Sequence, residues 1–356
     1  MSYTPRSFNN LGRSEMGVNL TPIISRHTVS LKDMTGKSLA VDGNNALHQF
    51  LSITRKADGS PFTAPNGNVT SHLIGLMFRS SRLMSEYAIR PIYVFDGQPP
   101  ALKLAEIGKR RAIRDRAERE LAEALKRRDL RTAFSKAVMT GRLTKEMIDD
   151  AKQLLHLLGI PYVQAPGEAE AQAAYMTAQG QVWATNSQDY DSLLFGTPRL
   201  VRYVTIQGRE YLPSKGIARP VKPELIEAED LRTNLAISRE QLIDIAIIIG
   251  TDFNEGVRGI GPKTALKLIQ EWGSIENLPE GIKSRVSGNY QEIRKVFLNP
   301  PVTTGFSTAL HPIRERELYE FLCRQRGFSR NRVVTVVERM KKLETQSNLF
   351  QWVENR

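Results

Sequence analysis

Asp42 follows the apolar run 37–41 (KSLAV), Asp96 follows 91–95 (PIYVF), and Asp189 and Asp191, in QDYDS, stand just beyond 182–185 (VWAT). Glu168 and Glu170 come after Tyr162, Val163 and the turn APG, and Asp252 follows the apolar helical pattern LIDIAIIIGT. Any one of these acids alone would be a cap, a turn or a solvated surface group. Six placed alike beyond short apolar runs, with a seventh after a helix, make a set. Anions gathered at one site repel each other and raise each other's pKa unless cations join them. Hard oxygen donors suit Mg²⁺ or Mn²⁺, and no HxxxH or CxxC pattern offers zinc a competing site. Two ions about 3.5–4 Å apart could deprotonate a water and stabilise the leaving oxygen of a phosphodiester. That reaction needs no nucleophilic side chain. The purely structural account of the same acids is a nest of salt bridges to the many arginines.

The elements that must position them follow from the same pattern. Short apolar runs alternate with helical segments such as 147–158 and 169–178, which implies an α/β fold with a mostly parallel central sheet covered by helices. In such sheets functional groups collect beyond the carboxyl ends of the strands, where the acids fall. An extended backbone through QDYDS would aim Asp189 and Asp191 to one side. Glu168 and Glu170 sit where a loop enters a helix.

The chain has 356 residues and a formal charge of +12, a balance that attracts polyanions over long range. The single cysteine, Cys323, excludes an intrachain disulfide and fits a reducing compartment, with the thiol as a small core filler. Residues 1–16 are polar, lack the apolar run of a signal peptide, and read as a flexible extension ending at a second methionine, Met16. The most apolar stretch, 243–250, carries Asp244 and is too short to span a bilayer. The expectation is a soluble intracellular monomer with no membrane contact.

Two further segments suit a phosphate backbone. Residues 101–131 hold 11 Lys or Arg against 6 Asp or Glu in helix-favouring company. Lys103, Arg110 and Arg114, spaced by seven and four, would line one helical face, either as a solvated stripe or as phosphate contacts. The segment GVRGIGPKT, 256–264, lies between two helical patterns within 240–272. It is not a nucleotide-binding P-loop, because Pro262 separates Gly261 from Lys263 and a helix pattern precedes it. A tight turn through Gly259 and Gly261 instead lets backbone N–H groups meet a duplex phosphate, reinforced by Lys263 and Lys267.

Taken in order, VDGNN, VFDGQPP, APGEAEAQAAYM, SQDYDSLLFG and GTDFNEGVRGIGPKTAL resemble the motifs of the flap endonuclease family, from about Met16 to the C-terminus. The resemblance implies a PIN-like 5′-nuclease fold and a metal-dependent enzyme that removes 5′ flaps, with 5′–3′ exonuclease action, in Okazaki-fragment maturation and base-excision repair. It implies two Mg²⁺ ions on the seven acids, with Mn²⁺ as a substitute. Lys103 and Arg110 match the basic pair that contacts the scissile phosphate at the base of a helical arch, about 97–147, which admits a threaded single strand. The turn at 256–264 matches a helix–two-turn–helix that grips duplex DNA and binds K⁺ through backbone carbonyls.

The implied organisation is a nuclease domain over 17–342, with an N-terminal part 17–115 and an internal part about 140–275, followed by a tail, 343–356. In that tail Gln346, Leu349, Trp352 and Val353 resemble the family's sliding-clamp-binding box. Three positions depart from the family pattern: Gly167 replaces a serine, His48 replaces a tyrosine that stacks on substrate, and Val353 replaces an aromatic residue. The resemblance also implies a cytoplasmic protein of archaeal type, or a nuclear one in a eukaryote. Two other readings compete: a related nuclease (resection exonuclease or junction resolvase), and a non-catalytic DNA-binding scaffold attached to the clamp.

Overall fold

The computed structural model describes residues 17–354 except 57–59, 128, 130–131, 134–135, 137–139, 206–208 and 213–216. Side chains at 105, 125, 209–212, 217–220 and 344–354 also lie outside the description. The extension 1–16 is outside it entirely.

The short strands are β1 (His27–Thr28), β2 (Ser38–Asp42), β3 (Arg90–Phe95), β4 (Tyr162–Gln164), β5 (Ala184–Asn186), β6 (Arg199–Arg202) and β9 (Glu224–Glu227), with β2 and β3 built on the apolar runs before Asp42 and Asp96. They make one sheet in the order β1-β9-β6-β5-β2-β3-β4, while β7 (Arg209–Leu212) and β8 (Ile217–Pro220) pair as a separate hairpin. The pairs β6–β5, β5–β2, β2–β3 and β3–β4 are parallel, and β9 and β1 close one edge antiparallel. The expected mostly parallel sheet is therefore present. From β2 the chain builds outward through β3 and β4, then crosses to β5 and β6 on the other side. That reversal opens a crevice at the carboxyl ends of β2 and β5.

Helices α1 (Gly43–Ile53) and α2 (Ser71–Tyr87), with the Lys145–Leu157 helix, bury Phe50, Leu73, Leu76, Leu154 and Leu155 against one face of the sheet. The Ala169–Ala178 helix lays Ala169, Ala173 and Met176 on Ala40, Ile92, Val94 and Val163. A second apolar cluster joins the Arg239–Ile249, Pro262–Trp272 and Tyr290–Leu298 helices through residues such as Ile243, Ile247, Ile269, Ile293 and Phe297. Cys323 packs, partly buried, against the first cluster.

One local reading changes. The segment after β5 bends instead of extending: Tyr190 takes a helical conformation (φ −82°, ψ −7°) and Asp191 opens the short Asp191–Leu194 helix. The Arg330–Glu354 helix takes in the first part of the segment after Lys342. Among the described residues no helix is long and apolar enough to cross a membrane.

Candidate active site

Asp42 is the last residue of β2 and the N-cap of α1, where its Oδ1 accepts the Asn45 N–H at 2.9 Å. Asp96 follows β3 at the solvent-accessible rim and accepts the Ala169 N–H at 2.7 Å. Glu168 occupies the N-cap of the Ala169–Ala178 helix without capping it, so its carboxylate is free to face the crevice. Glu170, one residue into that helix, accepts the Ser187 and Ser192 hydroxyls at 2.8 and 3.2 Å. Asp189 accepts from Asn45 Nδ2 at 3.0 Å, and Asp191 from the Val18 N–H at 2.9 Å. Gly17 precedes Val18 at φ +76°, and a Cβ there would stand 2.9 Å from Asp191 Oδ1, so only glycine fits.

Asp252 comes from outside the sheet. Gly250 ends the Arg239–Ile249 helix, and paired bonds between Thr251 and Asn254 fold the next residues into a tight turn that aims Asp252 at the others. Gly256 closes this turn at φ +73°, where a Cβ would lie 2.1 Å from the Ile249 carbonyl oxygen.

The seven acids act on one another. Burial, and then the Asp96 carboxylate, push the Asp42 carboxyl up to about 8. Burial followed by Asp252 raises Asp191 to about 7. Glu170 and Asp189 rise well above the carboxylate range through burial and then through Asp191. The protein packed around Asp96 and Glu168 raises them too, with Lys103 pulling the other way.

Two cations answer this charge. Lys103 Nζ bonds Glu168 and lies 3.3 Å from Asp252 Oδ2, while an Arg110 terminal nitrogen donates to Asp252 Oδ1 at 2.6 Å. Burial opposes the charge on Lys103, but Glu168 and Asp252 outweigh it and hold the ammonium above its ordinary range. Lys103 and Arg110 meet at Asp252, and Arg114 stands with Arg110 near His48. Arg110 and Arg114 lie in α3 (Leu104–Lys126), whereas Lys103 lies in the 3-10 turn before it. His48, on α1, is pushed down to about 4 by burial, then by Arg114 and Arg110, and is neutral at physiological pH.

Among the described residues no three acids converge on a single point as a ready-made ion cage. A hard ion that keeps several waters and takes one or two carboxylates at a time does not require one, so the all-oxygen donor set fits Mg²⁺ or Mn²⁺. The Gly-rich segment runs on from the turn that carries Asp252. Gly259 and Gly261 are exposed, with open space above both, and the Pro262–Trp272 helix that follows has no side-chain cap. Lys263 and Lys267 stand exposed on that helix.

The model of the XPG N-terminal domain matches residues 16–117, and that of the XPG I-region matches residues 159–252. The chain is 45% identical to flap endonuclease 1 of Archaeoglobus fulgidus over 338 residues, covering 95% of this chain and all of that protein. The chain belongs to the flap endonuclease family. It is a structure-specific flap endonuclease acting on DNA, in a family of nucleases that use divalent metal ions. Flap endonuclease 1 of Staphylothermus marinus is also 45% identical, over 92% of this chain and 95% of its own length. The solved flap endonuclease-1 of Methanococcus jannaschii superposes with a TM-score of 0.73 at 38% identity, covering 93% of this chain and all of that one.

Several residues of the endonuclease's site escape sequence reasoning. Asn45, Ser187 and Ser192 hold the carboxylates, and their sole sequence signal is adjacency: Asn45 within VDGNN, the serines flanking QDYD. The Val18 backbone contact spans 173 positions and has no side-chain signature. Lys109, which ties α3 to Glu255 beside Asp252, was hidden among many basic neighbours. Gln346, Leu349, Trp352 and Val353 fall in the last turns of the Arg330–Glu354 helix, with side chains outside the described residues.

Proposed function

We propose that this flap endonuclease hydrolyses DNA at the base of 5′ flaps, and from 5′ ends, through two Mg²⁺ ions held by Asp42, Asp96, Glu168, Glu170, Asp189, Asp191 and Asp252. The observation that carries the reading is the single electrostatic group these acids form, faced by Lys103 and Arg110. The ions, when bound, supply the Lewis acidity that activates water and stabilises the leaving oxygen. Mn²⁺ serves as a substitute.

The chain's own residues do the rest. Asn45, Ser187, Ser192 and the Val18 N–H orient the buried acids. Lys103 and Arg110 exchange their carboxylate partners for the non-bridging oxygens of the scissile phosphate, which the arch at about 97–147 brings within reach. Arg114 and neutral His48 receive the adjoining nucleotide, the imidazole by stacking. The turn through Gly259 and Gly261, with Lys263, Lys267 and a K⁺ ion on backbone carbonyls, grips the duplex. Residues 17–342 act as one nuclease unit, monomeric and cytoplasmic, and the tail 343–356 docks on the sliding clamp through Gln346, Leu349, Trp352 and Val353. The physiological role is Okazaki-fragment maturation and base-excision repair.

Cleavage of flap, gapped, bubble and four-way junction DNA tests the substrate. The flap should be cut fastest, and preference for the junction would overturn the assignment. Deleting 345–356 should spare basal cleavage and abolish stimulation by the clamp; equal stimulation would remove the tail's role.

A further inference from the structure

Between the Tyr290–Leu298 helix and the Glu315–Tyr319 helix, residues 299–314 cross the molecule without helix or strand. The strap leaves the lobe that carries the Gly-rich turn, since Ile293 and Phe297 are buried there with Ile269. It then passes the entrance of the Ala169–Ala178 helix, the turn that presents Glu168 and Glu170. Three contacts hold it there. Gln172, fully buried, donates from Nε2 to the Thr303 carbonyl at 3.0 Å and accepts the Thr303 N–H at 2.7 Å. The backbone N–H of the same Gln172 closes the first helical turn onto the Glu168 carbonyl at 3.3 Å. Pro301 packs over Gly167, where a Cβ would stand 3.0 Å from its Cγ. Beyond these, Phe306 rests on the apolar cluster under the sheet and the His311 N–H bonds the Gly159 carbonyl at 2.9 Å.

A two-point amide clasp is more than a strap needs merely to lie flat, and it sits one turn from two acids of the site. We propose that Gln172, with the Pro301–Gly167 contact, positions the Glu168–Glu170 turn, so that the reach of both glutamates toward the metal is set by a strap anchored in the duplex-gripping lobe. The inference rests on the metal-site reading above. Glycine at 167 follows from it: a side chain would push Pro301, and Thr303 behind it, away from the helix entrance by a few tenths of an ångström.

The test measures Mn²⁺ binding to the full-length protein without DNA, by loss of the free-ion EPR signal, beside flap cleavage as a function of Mg²⁺. Gln172→Leu keeps the volume and removes both bonds. It should weaken Mn²⁺ binding about tenfold, the effect of losing a partner that orients a ligand, and shift the Mg²⁺ dependence of cleavage equally while DNA affinity in EDTA stays unchanged. Gly167→Ser should weaken binding in the same direction, and adding Pro301→Gly should restore it. Phe306→Ala, which loosens the strap away from the site, should lower the melting temperature and leave Mn²⁺ affinity alone. Wild-type Mn²⁺ affinity in a folded Gln172→Leu protein would overturn the proposal. Should that variant not fold, the Gly167→Ser and Pro301→Gly pair decides, and absence of rescue overturns it. Wild-type protein that binds no Mn²⁺ and cleaves in EDTA would sink the metal-site reading itself, a result distinct from either.

Discussion

Two groups of charge in this molecule are built on opposite principles. In the lobe that carries the Gly-rich turn Asp244, 2% exposed, receives two bonds from the Arg294 guanidinium at 2.6 and 2.9 Å and a third from the Ile275 N–H at 3.1 Å. Arg294 also bonds Glu276, which pulls the Glu276 carboxyl down to about 2, and stacks near Tyr290. There one guanidinium serves two carboxylates, and each carboxylate oxygen meets a donor. At the crevice seven acids share two close cations, and three of the acids, Glu170, Asp189 and Asp191, accept hydrogen bonds from neutral donors. A matched buried pair fixes a structure. An excess of anions in a partly buried crevice stores repulsion that a ligand of opposite sign relieves, and such pKa shifts mark functional sites.

The contrast can be broken by one substitution in each place. Asp189→Asn removes an anion from the crowded side, so flap cleavage should fall by roughly 100-fold or more while the metal-free protein melts higher and still binds flap DNA. Asp244→Asn breaks the matched pair and should cost about 2–3 kcal/mol of stability, the lower end for such pairs because Arg294 keeps Glu276. Its cleavage per folded molecule should stay near wild type. Thermal melts and single-turnover cleavage on both variants check the pair of outcomes. A destabilised Asp189→Asn protein would mean that the acids are knit together as structure.

Proton linkage gives the next largest effect. Asp42, Asp96, Glu168, Glu170, Asp189 and Asp191 take up protons more readily folded than unfolded, with Asp191 at about 7 and Asp42 at about 8. Their contribution to stability is fully present below the ordinary carboxylate range near pH 4 and is lost as pH rises through the folded values. The metal-free melting temperature should therefore fall between pH 5 and about 8. Mg²⁺ should oppose that fall, and cleavage should rise over the same interval as the acids shed protons to take metal. A metal-free melting temperature that climbs across this range would contradict the excess of buried negative charge.

What was legible in the sequence was local. An apolar run ending in an acid names both a strand and what stands at its carboxyl end, so β2, β3 and β4 fall where Asp42, Asp96 and Glu168 required them. The bend at Tyr190 was not legible, because a stretch of polar residues can extend or turn according to what it packs on, and Tyr190 is buried. The antiparallel edge was missed because β1 has two residues and β9 four, too short for any period to show. Contacts that orient the acids join positions 144 and 173 apart through an amide and a backbone N–H, groups every sequence carries in abundance. The strap reads as Pro- and Thr-rich loop, and its clasp depends on a single glutamine in an alanine-rich helix.

The smallest expected effect probes what solvent does to the same chemistry. Two ion pairs tie α3 to the turn carrying Asp252. Arg110–Asp252 is partly buried, at 28% and 12% side-chain exposure, whereas Lys109–Glu255 is open at 51% and 80%. Water and salt screen the open pair, and holding two long side chains together costs entropy that its attraction barely offsets. Glu255→Gln should leave the melting curve and the rate of flap cleavage unchanged at both low and high salt. If that variant instead slowed cleavage at low salt alone, the exposed pair would be helping to set α3 against the turn that carries Asp252. Burial would then not be the property separating the charges that matter in this enzyme from those that do not.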